Sequence, residues 1–181
     1  MKYETLNKRY FPTKGLKTNI SYTIHTDLHT NTAYSSLATQ ITKIFPIALN
    51  TFIIPTIYGR FIFNDGIPFM YSNVIGGEGY NPHYEQQIPF SGLPHTESTL
   101  KLLGNARIQI RHKFHGKQYL TLSGNYAIHQ NQFSNFLQGK KIYGTSIGYG
   151  YDSPLGPIEG FICYSNRTNK LGFYLNIGFG F

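Results

Sequence analysis

Bulky apolar residues alternate with small or polar residues over the C-terminal segment of the chain. From Lys170 to Phe181, every second residue is Leu, Ile or Phe, and the positions between them hold Gly, Tyr or Asn. A β-strand has a side-chain period of two, so this pattern predicts a strand with one apolar and one small or polar face. An amphipathic terminal strand ending on Phe181 is typical of outer-membrane β-barrels, whose lipid-facing and lumen-facing residues alternate.

The alternation recurs along the chain and predicts eight strands. They cover 16–26, 33–45, 50–63, 99–112, 117–129, 141–151, 157–165 and 170–181. Most are near the ten or so residues that a tilted strand needs to cross a bilayer. The third contains Pro55, which cannot donate to a ladder, and its phase is ambiguous. In the fourth, we expect Arg107 and Arg111 to face a wet lumen.

Residues 64–98 interrupt the alternation and are rich in proline and glycine. A connection of this length predicts a functional or disordered loop rather than a simple turn. From this loop onward, long and short connections alternate, as they do in barrels with short periplasmic turns and longer outer loops. A periplasmic C-terminus would therefore place the large loop on the outer side of the membrane.

Composition favours a membrane barrel of one domain. No run in the 181 residues approaches the roughly 18 apolar residues that a spanning helix needs. The 15 Tyr, 14 Phe and 19 Gly suit the aromatic girdles and the crowded small-residue face of a barrel. A soluble β-sandwich or a lipocalin-like barrel would alternate in the same way and is the alternative fold.

Charge and ligand-type residues exclude several function classes. The net charge of +8 is dispersed near strand ends and on polar faces, which favours contact with anionic lipid headgroups over nucleic acid. The seven histidines show no zinc-ligand spacing. Cys163 is the single cysteine, so no internal disulfide forms. We expect no metal and no cofactor.

One short motif resembles a catalytic element without its context. Residues 144–148, GTSIG, match G-x-S-x-G, the nucleophile elbow of patatins and α/β-hydrolases. That elbow needs a helix after the serine, whereas the Tyr/Gly alternation runs straight through Ser146. We therefore expect a lumenal strand serine and no catalytic residue in this chain. Glu78 and Glu85 of the large loop are expected to be solvated.

Three further motifs carry a resemblance to a known family. Residues 10–15, YFPTKG, resemble the F-P-T-x-G turn of the BamA-like superfamily, the bacterial surface antigen barrels. Residues 75–80, IGGEGY, which follow Ile-Pro-Phe at 67–69, are similar to its inward-folding sixth loop. Residues 152–158, DSPLGPI, resemble its S/T-P-L-G-P turn between late strands. The matching positions are Pro12, Gly15, Gly76, Gly77, Glu78, Gly79, Tyr80, Pro154, Gly156, Pro157 and, as the barrel C-terminal signal, Phe181.

The resemblance implies an all-β, transmembrane antiparallel barrel of sixteen strands, of which this chain supplies the C-terminal eight. The sixth loop of the assembly and translocation members carries V/I-R-G-F/Y, and its arginine reaches into the barrel. Here the stretch reads Glu78-Gly79-Tyr80, so the arginine is absent, which argues against insertase activity. The Gly-Gly-Glu variant is more similar to barrels fused behind patatin-like phospholipase domains.

These observations give one leading hypothesis and two alternatives. The chain would anchor an N-terminal patatin-like phospholipase domain in the bacterial outer membrane, help to export or display it, and itself carry no enzyme activity. The alternatives are an insertase or translocase barrel, and an autonomous eight-stranded porin or adhesin.

The N-terminus lacks an apolar signal region, so we expect the chain to be part of a longer protein. The expected partners are outer-membrane lipid, the remaining barrel strands and N-terminal domain of the parent chain, and the barrel assembly machinery. A second copy, in a homodimer, is a further candidate partner.

Overall fold

A computed structural model describes residues 1–27, 32–65, 67–68, 71–78 and 86–178. These residues form twelve strands and one short 3₁₀ helix, Phe133–Gln138. The strands are β1 (Lys2–Glu4), β2 (Gly15–Asp27), β3 (Thr32–Ala48), β4 (Thr51–Ile62), β5 (Asn73–Ile75), β6 (Gln87–Ile88), β7 (Glu97–Thr99), β8 (Leu102–His115), β9 (Gln118–Gln130), β10 (Lys140–Ser153), β11 (Gly156–Ser165) and β12 (Leu171–Ile177).

Nine strands form one antiparallel sheet in the order β1-β2-β3-β4-β8-β9-β10-β11-β12. The expected all-β antiparallel fold is confirmed. Within the described residues, β1 and β12 each have one neighbour, so the sheet is open rather than closed on itself. The remaining strands β5, β6 and β7 form a small separate sheet inside the large loop.

The ends of the long strands differ from the expected ranges for identifiable reasons. β8 begins at Leu102 rather than at 99, because residues 97–99 pair with β5 in the loop sheet. β3 continues to Ala48, where a tight turn at residues 49–50 leads into β4. β12 is assigned to Ile177, and residues 179–181, including Phe181, lie outside the described part. β1 was not expected, because three residues are too few to show alternation.

The two faces of the sheet differ as the period of two requires. On β8, the side chains of Ile108 and Ile110 are exposed, whereas Arg111 is buried on the opposite face. Arg107 lies on the same face as Arg111, and the large loop covers this face, which we call the inner face. On β12, Phe173 and Leu175 are exposed, while the intervening side chains point to the loop.

The sequence left open which residues of β4 face the inner side of the sheet. The burial of their side chains answers this. Phe52, Ile54 and Tyr58 are buried on the inner face, and Ile57 is exposed. The ladder between β3 and β4 passes from the Thr42–Thr56 pair to the Phe45–Ile53 pair in one register. Pro55 lies between these pairs, and the ladder has no pair between β3 and either Ile54 or Pro55, where proline has no N–H to donate.

The outer face exposes a band of large apolar side chains across the sheet. Members from eight strands are Ile20, Ile24, Ile41, Ile57, Ile108, Ile110, Leu122, Ile147, Ile162, Phe173 and Leu175. A surface this apolar and continuous marks an interaction with a membrane or a partner. Among the described residues, no helix is long and apolar enough to cross a membrane.

Because adjacent residues of β8 lie on opposite faces, a charged substitution should destabilise the protein much more at position 108 than at position 109. Ile108→Arg places a charge on the apolar face, where the side chain is 48% exposed, and should lower the free energy of unfolding by about 2–4 kcal/mol at mid-bilayer. The matched Gln109→Arg change places the charge on the inner face and should cost much less. Denaturant titration of the protein in lipid vesicles, followed by circular dichroism, measures both; equal costs would contradict the assigned faces.

Candidate functional site

A buried arginine fixes the beginning of the large loop to the sheet. Arg60 of β4 donates from Nη1 to the carbonyl oxygens of Tyr71 and Ser72, each at 3.2 Å, and to Asn73 Oδ1 at 2.9 Å. The Nδ2 of Asn73 donates in turn to the carbonyl oxygens of Leu100 and Lys101, both at 2.9 Å. The loop is therefore held at its start against the segment by which the chain returns to β8.

The middle of the loop packs on the inner face of the sheet through apolar side chains. β5 pairs in parallel with β6 and antiparallel with β7. This small sheet and the segment between β6 and β7 contribute one half of a buried cluster, and the long strands contribute the other. The members are Ile75, Ile88, Phe90 and Leu93 from the loop, and Tyr58, Leu103, Ala127 and Ile142 from the strands.

Glu78 lies at the centre of the docked loop and is fully buried. Its Oε2 forms an ion pair with Arg107 Nη2, and its Oε1 accepts hydrogen bonds from Ser91 Oγ and, at 2.8 Å, from Ser146 Oγ. The side chain of Glu78 is 0% exposed and that of Arg107 is 10% exposed. The expectation that Glu78 is solvated was wrong, because the loop folds onto the strands; Glu85 lies outside the described residues.

Further polar side chains complete this network. Asn125 Nδ2 donates to Ser91 Oγ at 2.7 Å, and Asn176 Nδ2 donates to the carbonyl oxygen of Glu78 at 2.9 Å. Ser91, Asn125 and Asn176 were not expected from the sequence. The available signal was Arg107, because an arginine on the inner face of a strand needs an acidic partner when it is buried.

The contacts of Glu78 require the sheet to curve around the loop. They reach Arg107 on β8, Ser146 on β10 and Asn176 on β12. β8 and β12 are four strand spacings apart, roughly 19 Å at about 4.8 Å each along the sheet. Because side chains leave a sheet nearly perpendicular to it, one residue can contact all three strands only on a concave face.

Two glycines allow backbone to pack directly on backbone. A Cβ added at Gly144 of β10 would overlap the carbonyl oxygen of Ser91. Gly92 has φ +79°, and a Cβ there would overlap the backbone between Tyr164 and Ser165 of β11. The hydroxyl of Tyr174 donates to the carbonyl oxygen of Leu93 and extends this contact to β12.

Gly76 and Gly77, two of the loop positions on which the family resemblance rests, lie at the turn that brings Glu78 to Arg107 and Ser146. Gly76 has φ +135°, and a Cβ there would overlap the carbonyl of Pro94, so a side chain has no room. Gly77 has φ +71° and its carbonyl accepts from the amide of Phe90. Gly79 and Tyr80 lie outside the described residues.

The two turn motifs lie at the opposite end of the strands from the large loop. Pro12 and Gly15 follow Phe11, which is fully buried and stacks on Tyr119 with ring centroids 4.2 Å apart. The guanidinium carbon of Arg111 lies over the Phe11 ring, 5.4 Å from its centroid.

The later turn connects β10 to β11 and is closed by a side chain. Ser153 Oγ donates to the carbonyl oxygen of Gly156 at 2.5 Å and accepts from the amide of Leu155 at 3.2 Å. Gly156 has φ +110°. Pro154 lies inside this turn, and Pro157 pairs with Asp152 at the start of the ladder.

Ser146 is hydrogen-bonded to a carboxylate, but it lies in the middle of β10 rather than at a strand-to-helix turn. Glu78 is already paired with Arg107. Ser146 pairs with Ser123 on one side and Cys163 on the other, in continuous ladders. Nucleophilic catalysis needs converging oxyanion donors and access for substrate. The arrangement closes the loop onto the strands.

The sequence matches a protein-family model along its length. The model described as the OMP85 superfamily matches residues 1–181, the full length of the chain. A comparison with curated protein sequences gave no significant match.

Removal of the buried carboxylate should release the loop. Glu78→Gln leaves the charge of Arg107 without its partner and should destabilise the docked loop by about 3–5 kcal/mol. The matched control is Glu97→Gln, because Glu97 pairs with the more exposed Arg167 at 3.2 Å and such pairs contribute less than about 1 kcal/mol. Limited proteolysis within residues 64–98 reads out docking; equal sensitivity in both variants would contradict a special role for Glu78.

Adding a methyl group at Gly144 should also release the loop from the sheet, because the group would collide with the loop backbone. Gly144→Ala places a Cβ against the carbonyl oxygen of Ser91, and the β10 backbone cannot move away without breaking its ladders with β9 and β11. Gly124→Ala is the control, because a Cβ there would lie 3.7 Å from Ile108 Cγ2, an ordinary contact. Loop proteolysis should rise several-fold for Gly144→Ala alone, and an undisturbed loop in that variant would show that the contact is not tight.

Proposed function

The chain belongs to the OMP85 superfamily, and we propose that it anchors an N-terminal patatin-like phospholipase domain in the outer membrane and exports or displays it. This is the superfamily that the three sequence motifs resemble. OMP85 superfamily proteins are bacterial outer-membrane proteins, so a barrel segment in that membrane follows from membership. The attached domain and its passage are the proposal.

The observation that carries the proposal is the sign of the charge on the docked loop. Members that assemble or translocate proteins present the arginine of V/I-R-G-F/Y from this loop, whereas this loop presents Glu78 to Arg107 on β8. The Gly-Gly-Glu sequence is the feature that resembles patatin-linked barrels. A loop fixed by a buried ion pair, an apolar cluster and two backbone contacts also occludes the inner face, which suits an anchor better than an open channel.

The open edges of the sheet support the need for further strands. Beyond Ile20, no strand of the described residues pairs with the outer edge of β2, and β12 has one neighbour. Unpaired backbone groups in the bilayer core cost several kcal/mol each. The remaining barrel strands of the parent chain are the partners that we propose for these edges, and a homodimer would be the substitute. The open sheet does not favour the autonomous eight-stranded porin or adhesin.

We propose that hydrolysis resides in the attached domain and none in this chain. The full-length protein, treated with a fluorophosphonate probe, should carry the label in the outer-membrane fraction at a serine before Met1. Ser146→Ala should leave the labelling unchanged, because Ser146 is 6% exposed and bonded to Glu78.

Two outcomes of that labelling would contradict the proposal. Loss of the label in Ser146→Ala would make this chain catalytic. A full-length protein that takes no label, and whose depletion lowers the abundance of other outer-membrane proteins, would favour the insertase alternative instead.

A further inference from the structure

A cavity of about 230 Å³ lies on the inner face beside the Glu78 network. It is enclosed by the N-terminal segment before β2, by the loop at Ile88 and Pro89, and by inner-face residues of the strands. Arg107 lines the cavity and also pairs with Glu78, so the two sites share one wall. The superfamily assignment and the proposed anchoring do not account for this space.

The charged part of the cavity wall is dominated by cations. Arg9, Lys17, Arg107 and Arg111 line it, and Glu159 is the one carboxylate among the lining residues that the structure describes. Positive side chains grouped around a partly enclosed space favour an anion, because the low local dielectric strengthens their attraction for it.

Among these cations, Arg111 is buried and has no carboxylate partner in the described part of the chain. The residue is 5% exposed, and in the described part of the chain no carboxylate oxygen lies within 4.0 Å of its nitrogens. Its Nε donates to Thr121 Oγ1 at 3.4 Å, its guanidinium lies over Phe11, and its Nη1 has no hydrogen-bond partner there. A buried cation without a counter-ion is costly, which favours an anionic ligand at this site.

The rest of the wall is apolar. Leu6 packs on the buried pair Ile44 and Ile54, and Ile88 of the loop and Phe161 of β11 also line the space. An inorganic ion would leave this surface uncovered, whereas an apolar chain would bury it.

We propose that the cavity binds an amphiphilic anion, with its acidic head against Arg111 and its hydrocarbon chain along Leu6, Ile44 and Ile54. A fatty acid and a lysophospholipid share this chemistry. The arginine supplies the charge and the donors for the head group, and the lining aliphatic side chains supply the apolar area. The inference does not rest on the attached phospholipase.

The test measures thermal unfolding of the full-length protein in detergent, followed by circular dichroism, with sodium octanoate as the probe. At ten times its dissociation constant, octanoate should raise Tm by about 3–6 °C, because binding to the folded state alone stabilises it. Lysophosphatidic acid distinguishes a phosphate head from a carboxylate head. Octanol and inorganic phosphate supply the chain and the charge separately, and each should give less than half of the octanoate shift.

The variants assign the effect to the cavity. Arg111→Gln should abolish the octanoate shift, whatever its own Tm, because the shift is measured against the same variant without ligand. Lys113→Gln removes the same charge two residues along β8, outside the cavity lining, and should retain the shift. No shift with either amphiphile, an equal shift with phosphate or octanol, or an equal shift in Arg111→Gln would each overturn the proposal.

Discussion

Backbone pairing is the constraint on which the rest of this structure depends. A strand that crosses an apolar phase must satisfy its N–H and C=O groups with neighbouring strands, because no water is present to do so. The continuous antiparallel ladders from β2 to β12 meet that requirement over the interior of the sheet. Once the ladders are in place, the side-chain period of two separates an apolar outer face from a small and polar inner face.

The inner face would be poorly packed without the large loop. Glycine, serine and asparagine line much of it, so the strands alone bury little apolar area there. The loop supplies Phe90 and Leu93 as a core, and Glu78 as a counter-charge for Arg107. Its close approach depends on Gly144, where any larger side chain would displace the loop backbone. The ion pair, the apolar cluster and the backbone contact at Gly144 therefore hold the same segment. Losing one of them weakens the other two, because the loop moves away from the sheet.

The sequence predicted the faces of the strands far better than the position of the loop. In β8 and β12 the alternation is regular, so the exposed and inner residues, Ile108 and Arg107 among them, could be assigned from the pattern. β4 could not be assigned, because consecutive apolar residues at 52–54 fit either face. Glu78 was misjudged because its partner lies 29 residues away, and no local period connects a loop carboxylate to a strand arginine. The loop sheet was missed because strands of two or three residues have no period to read.

The long sequence separation of the loop contacts has a consequence for the order of assembly. The carbonyl of Glu78 is held by Asn176, 98 residues further along the chain, and the carbonyl of Leu93 by Tyr174, 81 residues further. Contacts between such distant residues form late, since they are reached only after the intervening chain has been ordered. Complete docking of the loop therefore requires β12 to be in place. A sheet that lacks β12 loses the contacts of Tyr174 and Asn176 and holds the loop less tightly.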